Sequence, residues 1–305
     1  MSGIKLDEKK IRKGRPVGLP YVGSKKKIAK KIVQLIIQNF GCDKKVYDIF
    51  GGGGAITAEC MINGLDVHYN DLDKTVVDMF TTVLNSDREW LKGLIVDREQ
   101  FFYIRDKENK TTEDELKLLV NSFGNNREGY LYGKNHSDIK HQLSVNVIAN
   151  HDTFSGYRQT ETHKKALTDN AGKVQQIKPL ERLQQLERLQ QLEELRQIKS
   201  KRKIPFTAMD YRDFSEVTGG VIYLDPPYET SEFVYKVNGG ERLNYKDFYD
   251  WAYDMAQKNI VIISSYEVND GRFDEVFGFK TARGTLQGGQ GNNYERLFMA
   301  KEGKR

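Results

Sequence analysis

Residues 46–63 constrain the fold of this chain more than any other stretch. A short apolar run, Val46-Tyr47-Asp48-Ile49-Phe50, leads straight into Gly51-Gly52-Gly53-Gly54 and then into a helical stretch over 55–63. Consecutive glycines permit a turn too tight for side chains, which suits a strand that hands over to a helix packed on the same sheet. The rhythm repeats. Residues 66–70 read as the next strand, ending at Asp71, and 74–84 as the next helix. Upstream, Ile28, Ile32, Leu35 and Ile36 fall at helical spacing within 23–40, with lysines opposite. The alternation fades over 85–175 and resumes with strands at 206–209, 221–224 and 260–264 and a helix at 245–258. A glycine-rich turn, 284–291, leads into 294–300, expected as an edge strand. Strand-helix alternation predicts an α/β fold with a doubly wound parallel sheet. The sheet is assembled from 1–84 and 203–305, and 85–202 is an inserted, mostly helical module.

Two segments stand apart from that rhythm. Residues 1–19 are basic, with Pro16 and Gly18, and read as a loose leader. Residues 179–197 hold three near-copies of Leu-Glu-Arg-Leu-Gln-Gln, with leucine at every third position from Leu180 to Leu195. That composition favours helix. A three-residue spacing steps about 60° around a helix of 3.6 residues per turn, so the leucines spiral and form no single stripe; a coiled coil needs a different repeat. The expectation is an exposed or flexible helix, with a partner-binding helix as the alternative.

Chemistry concentrates at the ends of the expected strands. Asp225-Pro226-Pro227-Tyr228 closes the apolar run Val221-Ile222-Tyr223-Leu224. The Asp225 carboxylate and the Pro226 carbonyl can both accept hydrogen bonds from an exocyclic amino group. The prolines hold that shape rigid, and Tyr228 offers a ring on which a base can stack. The glycine cluster reads either as a nucleotide-type loop at a helix N-terminus or as a turn without a ligand. Asp71, at the end of the second strand, is placed to grip ribose hydroxyls. Asp73 can take that part instead, leaving Asp71 to cap the next helix. With no Lys-Ser/Thr ending, the loop is not a phosphate-gripping one. In Pro20-Tyr21-Val22-Gly23-Ser24-Lys25, Tyr21 and Lys25 can pack against a cofactor and bind its carboxylate, or Lys25 is one of several solvated lysines on that helix. Asp210, in Asp210-Tyr211-Arg212-Asp213-Phe214, can accept from an adenine amino group or cap a helix.

Composition narrows the classes. The net charge of +5 and pI near 8.9 permit a polyanionic partner without demanding one. No apolar run approaches the length of a membrane span, and the N-terminus lacks the apolar core of a signal peptide. Cys42 and Cys60 give neither metal-ligand spacing nor a disulfide framework. A cytoplasmic protein with no membrane partner and no metal is expected. Within the insert, residues 122–134 interleave amide, basic and aromatic side chains. Asn125 and Arg127 suit base edges, Tyr130 lies between them and Lys134, and Lys134 suits a phosphate, as do Lys164, Lys165 and the basic run at 199–203.

Taken in order, Pro20 to Lys25, Phe50 to Gly54, Asn70-Asp71, an inserted module, Asp225 to Tyr228, Ser264-Ser265-Tyr266 and Tyr294 to Phe298 resemble the Dam-like (alpha-group) DNA adenine-N6 methyltransferases, of phage or mobile-element type. The resemblance covers about 16–84 and 204–300, and its specificity lies in motif order. It implies a Rossmann-like catalytic domain, S-adenosylmethionine as methyl donor and double-stranded DNA as substrate, with the target adenine flipped out of the duplex. It implies that Asp225, Pro226 and Tyr228 are catalytic. Tyr21 would pack on the cofactor, where the family often has tryptophan, Lys25 would sit near its methionine end, and Asp71 would hold the ribose. Phe50, Gly51, Gly53, Asp210, Tyr211 and Asp225 complete the cofactor set. Val-Gly-Ser-Lys stands where Ala-Gly-Gly-Lys is common, and the insert is only faintly like the usual target-recognition domain. A monomer or weak dimer is expected, with room for a cognate restriction enzyme. The alternatives are methylation of adenine in structured RNA and a catalytically idle nucleic-acid-binding protein. Asn in place of Asp225 would suit a protein-glutamine methyltransferase, and Ser a cytosine-N4 enzyme.

Overall fold

Among the described residues, seven strands, β1 (Val46–Asp48), β2 (Val67–Asn70), β3 (Phe206–Thr207), β4 (Val221–Leu224), β5 (Ile260–Ser265), β6 (Phe273–Arg283) and β7 (Tyr294–Ala300), make one sheet in the order β3-β2-β1-β4-β5-β7-β6. The computed structural model describes residues 3–169, 180–198, 203–228, 243–283 and 294–301. The glycine-rich turn at 284–291 and most of the basic run at 199–203 lie outside them. Strands β3 to β5 pair in parallel, with Val46 opposite both Val67 and Val221, and Val221 opposite Ile260. Each position of β4 is buried, which is why its sequence is apolar throughout and does not alternate.

Strand β7 is not the edge strand expected. It runs antiparallel between β5 and β6, and β6 forms the edge. The sequence Phe273-Asp274-Glu275-Val276-Phe277 mixes acids with aromatics, and such polarity hides a strand while protecting an exposed edge from further pairing.

The helices are α1 (Lys26–Phe40), α2 (Ala55–Ile62), α3 (Lys74–Asn85), α4 (Arg88–Lys92), α5 (Arg98–Arg105), α6 (Thr112–Asn121), α7 (Ser137–His151), α8 (Glu161–Asp169), α9 (Gln184–Arg196) and α10 (Tyr245–Ala256). The chain divides into two compact units, Met1–Val17, Gly23–Val77 and Lys199–Arg305 in one, Gly18–Val22 and Asp78–Ile198 in the other. In the first, α1 buries Ile28, Ile32, Val33, Leu35 and Ile36, and α10 packs Phe248, Ala252 and Met255 into a core with Ile222, Leu224 and Ile263. The leader is not loose. Lys5 and Asp7 donate their amides to Asn39 Oδ1 (3.0 Å) and Gln38 Oε1 (2.7 Å), and the Arg12 guanidinium pairs with the buried Glu59 carboxylate at 2.5 and 2.7 Å.

In the second unit the repeat helix is neither exposed nor flexible. Leu180, Leu183, Leu186, Leu189, Leu192 and Leu195 all have 0% exposure, and α9 packs against α4, α6 and α7. A helix surrounded on several sides needs no single apolar stripe, so spiralling leucines suit it. Three polar residues, Gln185, Arg188 and Glu193, are buried with them. Gln185 Nε2 donates to Val96 O and Asn121 Oδ1 (3.0 and 2.6 Å). Arg188 Nη1 reaches Leu119 O, Val120 O and Ser122 O (3.3, 2.7 and 2.6 Å), taking up carbonyls that the end of α6 leaves without helical partners.

Candidate active site

The sheet order reverses between β1 and β4, which lie side by side although the chain leaves one for β2 and the other for β5. At such a switch point the connections diverge and leave a crevice beyond the strands' carboxyl ends. The glycine turn leaves β1 there, and Asp225 to Tyr228 leave β4 beside it; Ile49 N donates to Tyr223 O across the pair at 3.2 Å.

The glycine turn is clamped by the end of β2. Gly51 N donates to Asn70 O (2.8 Å), and a Cβ on Gly51 would lie 2.3 Å from Tyr69 Cε2, so no other residue fits. Gly52 and Gly54 have φ of +48° and +69°, in the left-handed region. Tyr69 donates its hydroxyl to Gly52 O (2.7 Å), and Asp71 Oδ2 accepts from Gly52 N (2.8 Å). Burial raises the Asp71 carboxyl to about 6, against the amides of Asp73 and Gly52, which favour its charge. Asp73 accepts from Thr75 N (2.9 Å) and so starts α3, which leaves Asp71 at the turn. Below lies Asp48, whose Oδ2 accepts from Thr57 N and Oγ1; burial pushes its carboxyl up to about 7.

Beside the turn is a buried network of charge. Lys25 Nζ donates to Asp225 Oδ1 (2.6 Å) and to the Tyr228 hydroxyl (2.8 Å) and lies 3.5 Å from Glu295 Oε2. Tyr228 in turn donates to Glu295 Oε2 (2.8 Å), whose other oxygen accepts from Ser264 Oγ (2.7 Å). Burial opposes the Lys25 charge, but Asp225 and Glu295 outweigh it and hold the ammonium protonated. Burial also raises the Asp225 carboxyl, to about 6, with Lys25 pulling it down and Glu295 pushing it up. One ammonium against two carboxylates leaves the network with a surplus of one negative charge. Tyr228 stacks on Tyr266 at 4.2 Å between ring centroids, so a base can stack only on its opposite face. The hydroxyl of Tyr245 on α10 donates to Pro227 O and fixes the tetrapeptide from behind.

Phe50 and Tyr211 stack at 6.1 Å and join Phe248 and Trp251 in an aromatic wall next to the turn. Asp210 caps the short turn Tyr211–Phe214 and pairs with Arg212, which holds its carboxyl below the ordinary range. The structure thus gathers Lys25, Asp225 and Tyr228 in one network and Phe50, Gly51, Gly53 and Asp71 at the adjoining turn. It sets Lys25 against Asp225. Tyr21 belongs to the second unit, within Gly18–Val22.

The insert's candidates separate. Tyr130 is buried in a core with Val96, Phe101, Leu118 and Tyr132, and its hydroxyl donates to Val96 O at 2.9 Å, so it cannot reach a base. Aromatic spacing in the sequence could not distinguish a core ring from a reading one. Arg127 pairs with Glu115 at 2.8 Å, Asn125 lines a cavity of about 170 Å³ with Arg182 and Arg188, and Lys134 is exposed. Sequence reasoning gave no role to Glu295, Tyr266, Asn70 or Asp48. Glu295 did leave a signal, since alternation along β7 puts it on the same face as buried Leu297. Asn70 joins three strands, donating to Ile49 O and Met209 O and accepting from Thr207 Oγ1 and Met209 N.

A family model for D12 class N6 adenine-specific DNA methyltransferases matches residues 21–249. No curated protein matches the chain.

Proposed function

Since the chain belongs to the D12 class N6 adenine-specific DNA methyltransferases, we propose how its own residues divide the work. It is an enzyme that methylates adenine N6 in DNA with S-adenosylmethionine as donor. When bound, S-adenosylmethionine supplies the methyl group on a positively charged sulfonium. The crevice suits that cofactor: Asp71 offers a carboxylate for hydroxyls, and the Lys25-Asp225-Glu295 network carries a net negative charge that favours a cation. Phe50 and Tyr211 supply an apolar wall, and Gly53 keeps the turn narrow.

Asp225 and the Pro226 carbonyl accept the two hydrogens of the target amino group. An adenine amine is a poor nucleophile because its lone pair is delocalised into the ring; two fixed acceptors favour a pyramidal nitrogen and stabilise the positive charge that grows on it. Lys25 is a positioning residue, holding Asp225 ionised and fixed through Oδ1 and so leaving Oδ2 for the amine. Tyr228, pinned by Lys25, Glu295 and Tyr266, is the platform for the extruded base. The second unit, with Lys134, Arg127 and Asn125 on it, serves as the target-recognition module. The reading extends to a cytoplasmic monomer or weak dimer, with or without a cognate restriction enzyme. Among the described residues, no helix is long and apolar enough to cross a membrane.

The observation that carries this reading is the 2.6 Å Lys25–Asp225 contact beside the glycine turn at the switch point. The test is transfer of labelled methyl to duplex DNA, structured RNA and protein in parallel, by wild type and Asp225→Ala. We expect label in duplex adenine alone and a loss of about 10²–10³ in kcat for the variant. Full activity in Asp225→Ala would remove that carboxylate from the chemistry.

A further inference from the structure

The first 31 residues hold eleven Lys or Arg and two acids, in a chain whose total surplus is only +5. The remainder of the protein is therefore net acidic, and its positive charge is concentrated on two elements, the arm 3–17 and helix α1. They run antiparallel. Lys5 and Asp7 bond Asn39 and Gln38 near the end of α1, Glu8 pairs with Lys31 at 2.5 Å, and Lys30 Nζ donates to Arg12 O and Gly14 O (3.1 and 2.8 Å) near its start. The arm is thus pinned along the helix, and both of its acids fall away from the helix's first turn.

What gathers around that first turn is Lys13, Arg15, Lys26, Lys27 and Lys30, with Lys13, Arg15 and Lys27 exposed. No acid stands in the first turn of α1. A helix N-terminus carries partial positive charge and ordinarily attracts acids. Lys26 and Lys27 open the helix against that preference, next to Lys25. A polyanion relieves both conflicts at once. The place is also informative: α1 begins beside Lys25, whose ammonium touches Asp225, so the basic strip runs up to the edge where the target amine must be held.

We propose that the arm and the first turns of α1 form a second DNA-contact surface on the catalytic unit, gripping backbone phosphates beside the extruded adenine. This rests on the reading of the protein as a DNA methyltransferase. The contact is to phosphate, so it fixes position and adds affinity without reading sequence. It also makes part of DNA recognition independent of the inserted module.

The test compares wild type with the triple variant Lys13→Gln, Arg15→Gln, Lys27→Gln, measuring duplex binding against salt with S-adenosylmethionine present. Each phosphate contact removed lowers the slope of log affinity against log salt by about 0.9. The variant's slope should be shallower by about 2 to 3, equally on target-bearing and unrelated duplexes. Between 50 and 200 mM salt, wild type should lose up to about 40-fold more affinity than the variant. Cofactor binding and kcat at saturating DNA should be unchanged, and Lys13→Arg with Lys27→Arg should keep the wild-type slope. An unchanged slope in the triple variant, with methylation intact, overturns the strip alone. A wild type that methylates no duplex overturns the strip together with the reading beneath it.

Discussion

Arg188 on α9 and Lys25 ahead of α1 are each 9% exposed, yet burial has opposite outcomes for them. Arg188 donates to three neutral backbone carbonyls, and burial lowers its guanidinium to about 10. Lys25 faces Asp225 and Glu295, and their charges hold its ammonium on in spite of burial. One cation completes the end of a neighbouring helix; the other sits between two acids and pulls the Asp225 carboxyl down. Depth alone therefore does not mark a functional side chain. What its polar atoms meet does: neutral backbone indicates architecture, and opposing charge with raised carboxyls at a sheet's carboxyl edge indicates chemistry.

Three measurements can break or sharpen that contrast. The largest effect is expected from Arg188→Met, which orphans the last carbonyls of α6 and should reduce unfolding free energy by about 3 kcal/mol. Methyl transfer per folded molecule should be kept, and a specific loss of kcat in chemical denaturation-matched samples would break the contrast.

Next comes pH. Asp225 must be ionised to accept the amine, and its carboxyl is raised to about 6, as is that of Asp71. The profile of kcat/KM should be flat above that value and fall about tenfold per unit below it. The fold should not weaken in parallel. A carboxyl whose pKa is higher folded than unfolded binds its proton more tightly in the native state, so from about 6 down to about 4 these groups add stability. In Lys25→Met the limb should move to higher pH, because the group that pulls the Asp225 carboxyl down is gone. A limb that stays put would mean Lys25 does not control Asp225.

The smallest effect belongs to Tyr130→Phe, which removes a buried bond to Val96 O and a long one from Gln185 Nε2. About 1 kcal/mol of stability should go, with duplex affinity unaltered in a filter-binding or fluorescence titration. A tenfold weaker complex would return Tyr130 to the DNA surface.

How far the sequence could be read follows from how contiguous each feature is. The turn after β1, Asp71 after β2 and the tetrapeptide after β4 were legible because strand, punctuation and functional residue are neighbours in the chain. The network was not. Lys25 and Asp225 are separated by 200 positions and Tyr228 and Glu295 by 67, and only the sheet order brings them together. The repeat helix was misread for a different reason. Its leucines make no stripe, and a stripe is required only of a helix with one wet face. Within the second unit two copies of the same hexapeptide even have different fates: Arg182, before α9 begins, is exposed and pairs with Glu187, while Arg188, one copy later, is buried.

That spiral works like the thread of a screw. Dropping one hexapeptide from α9 would shorten it by about 9 Å and rotate all that follows by about 120°, withdrawing each remaining leucine from the socket cut for it. Tandem copies invite slippage when a gene is replicated, but here the copy number is locked by the thread.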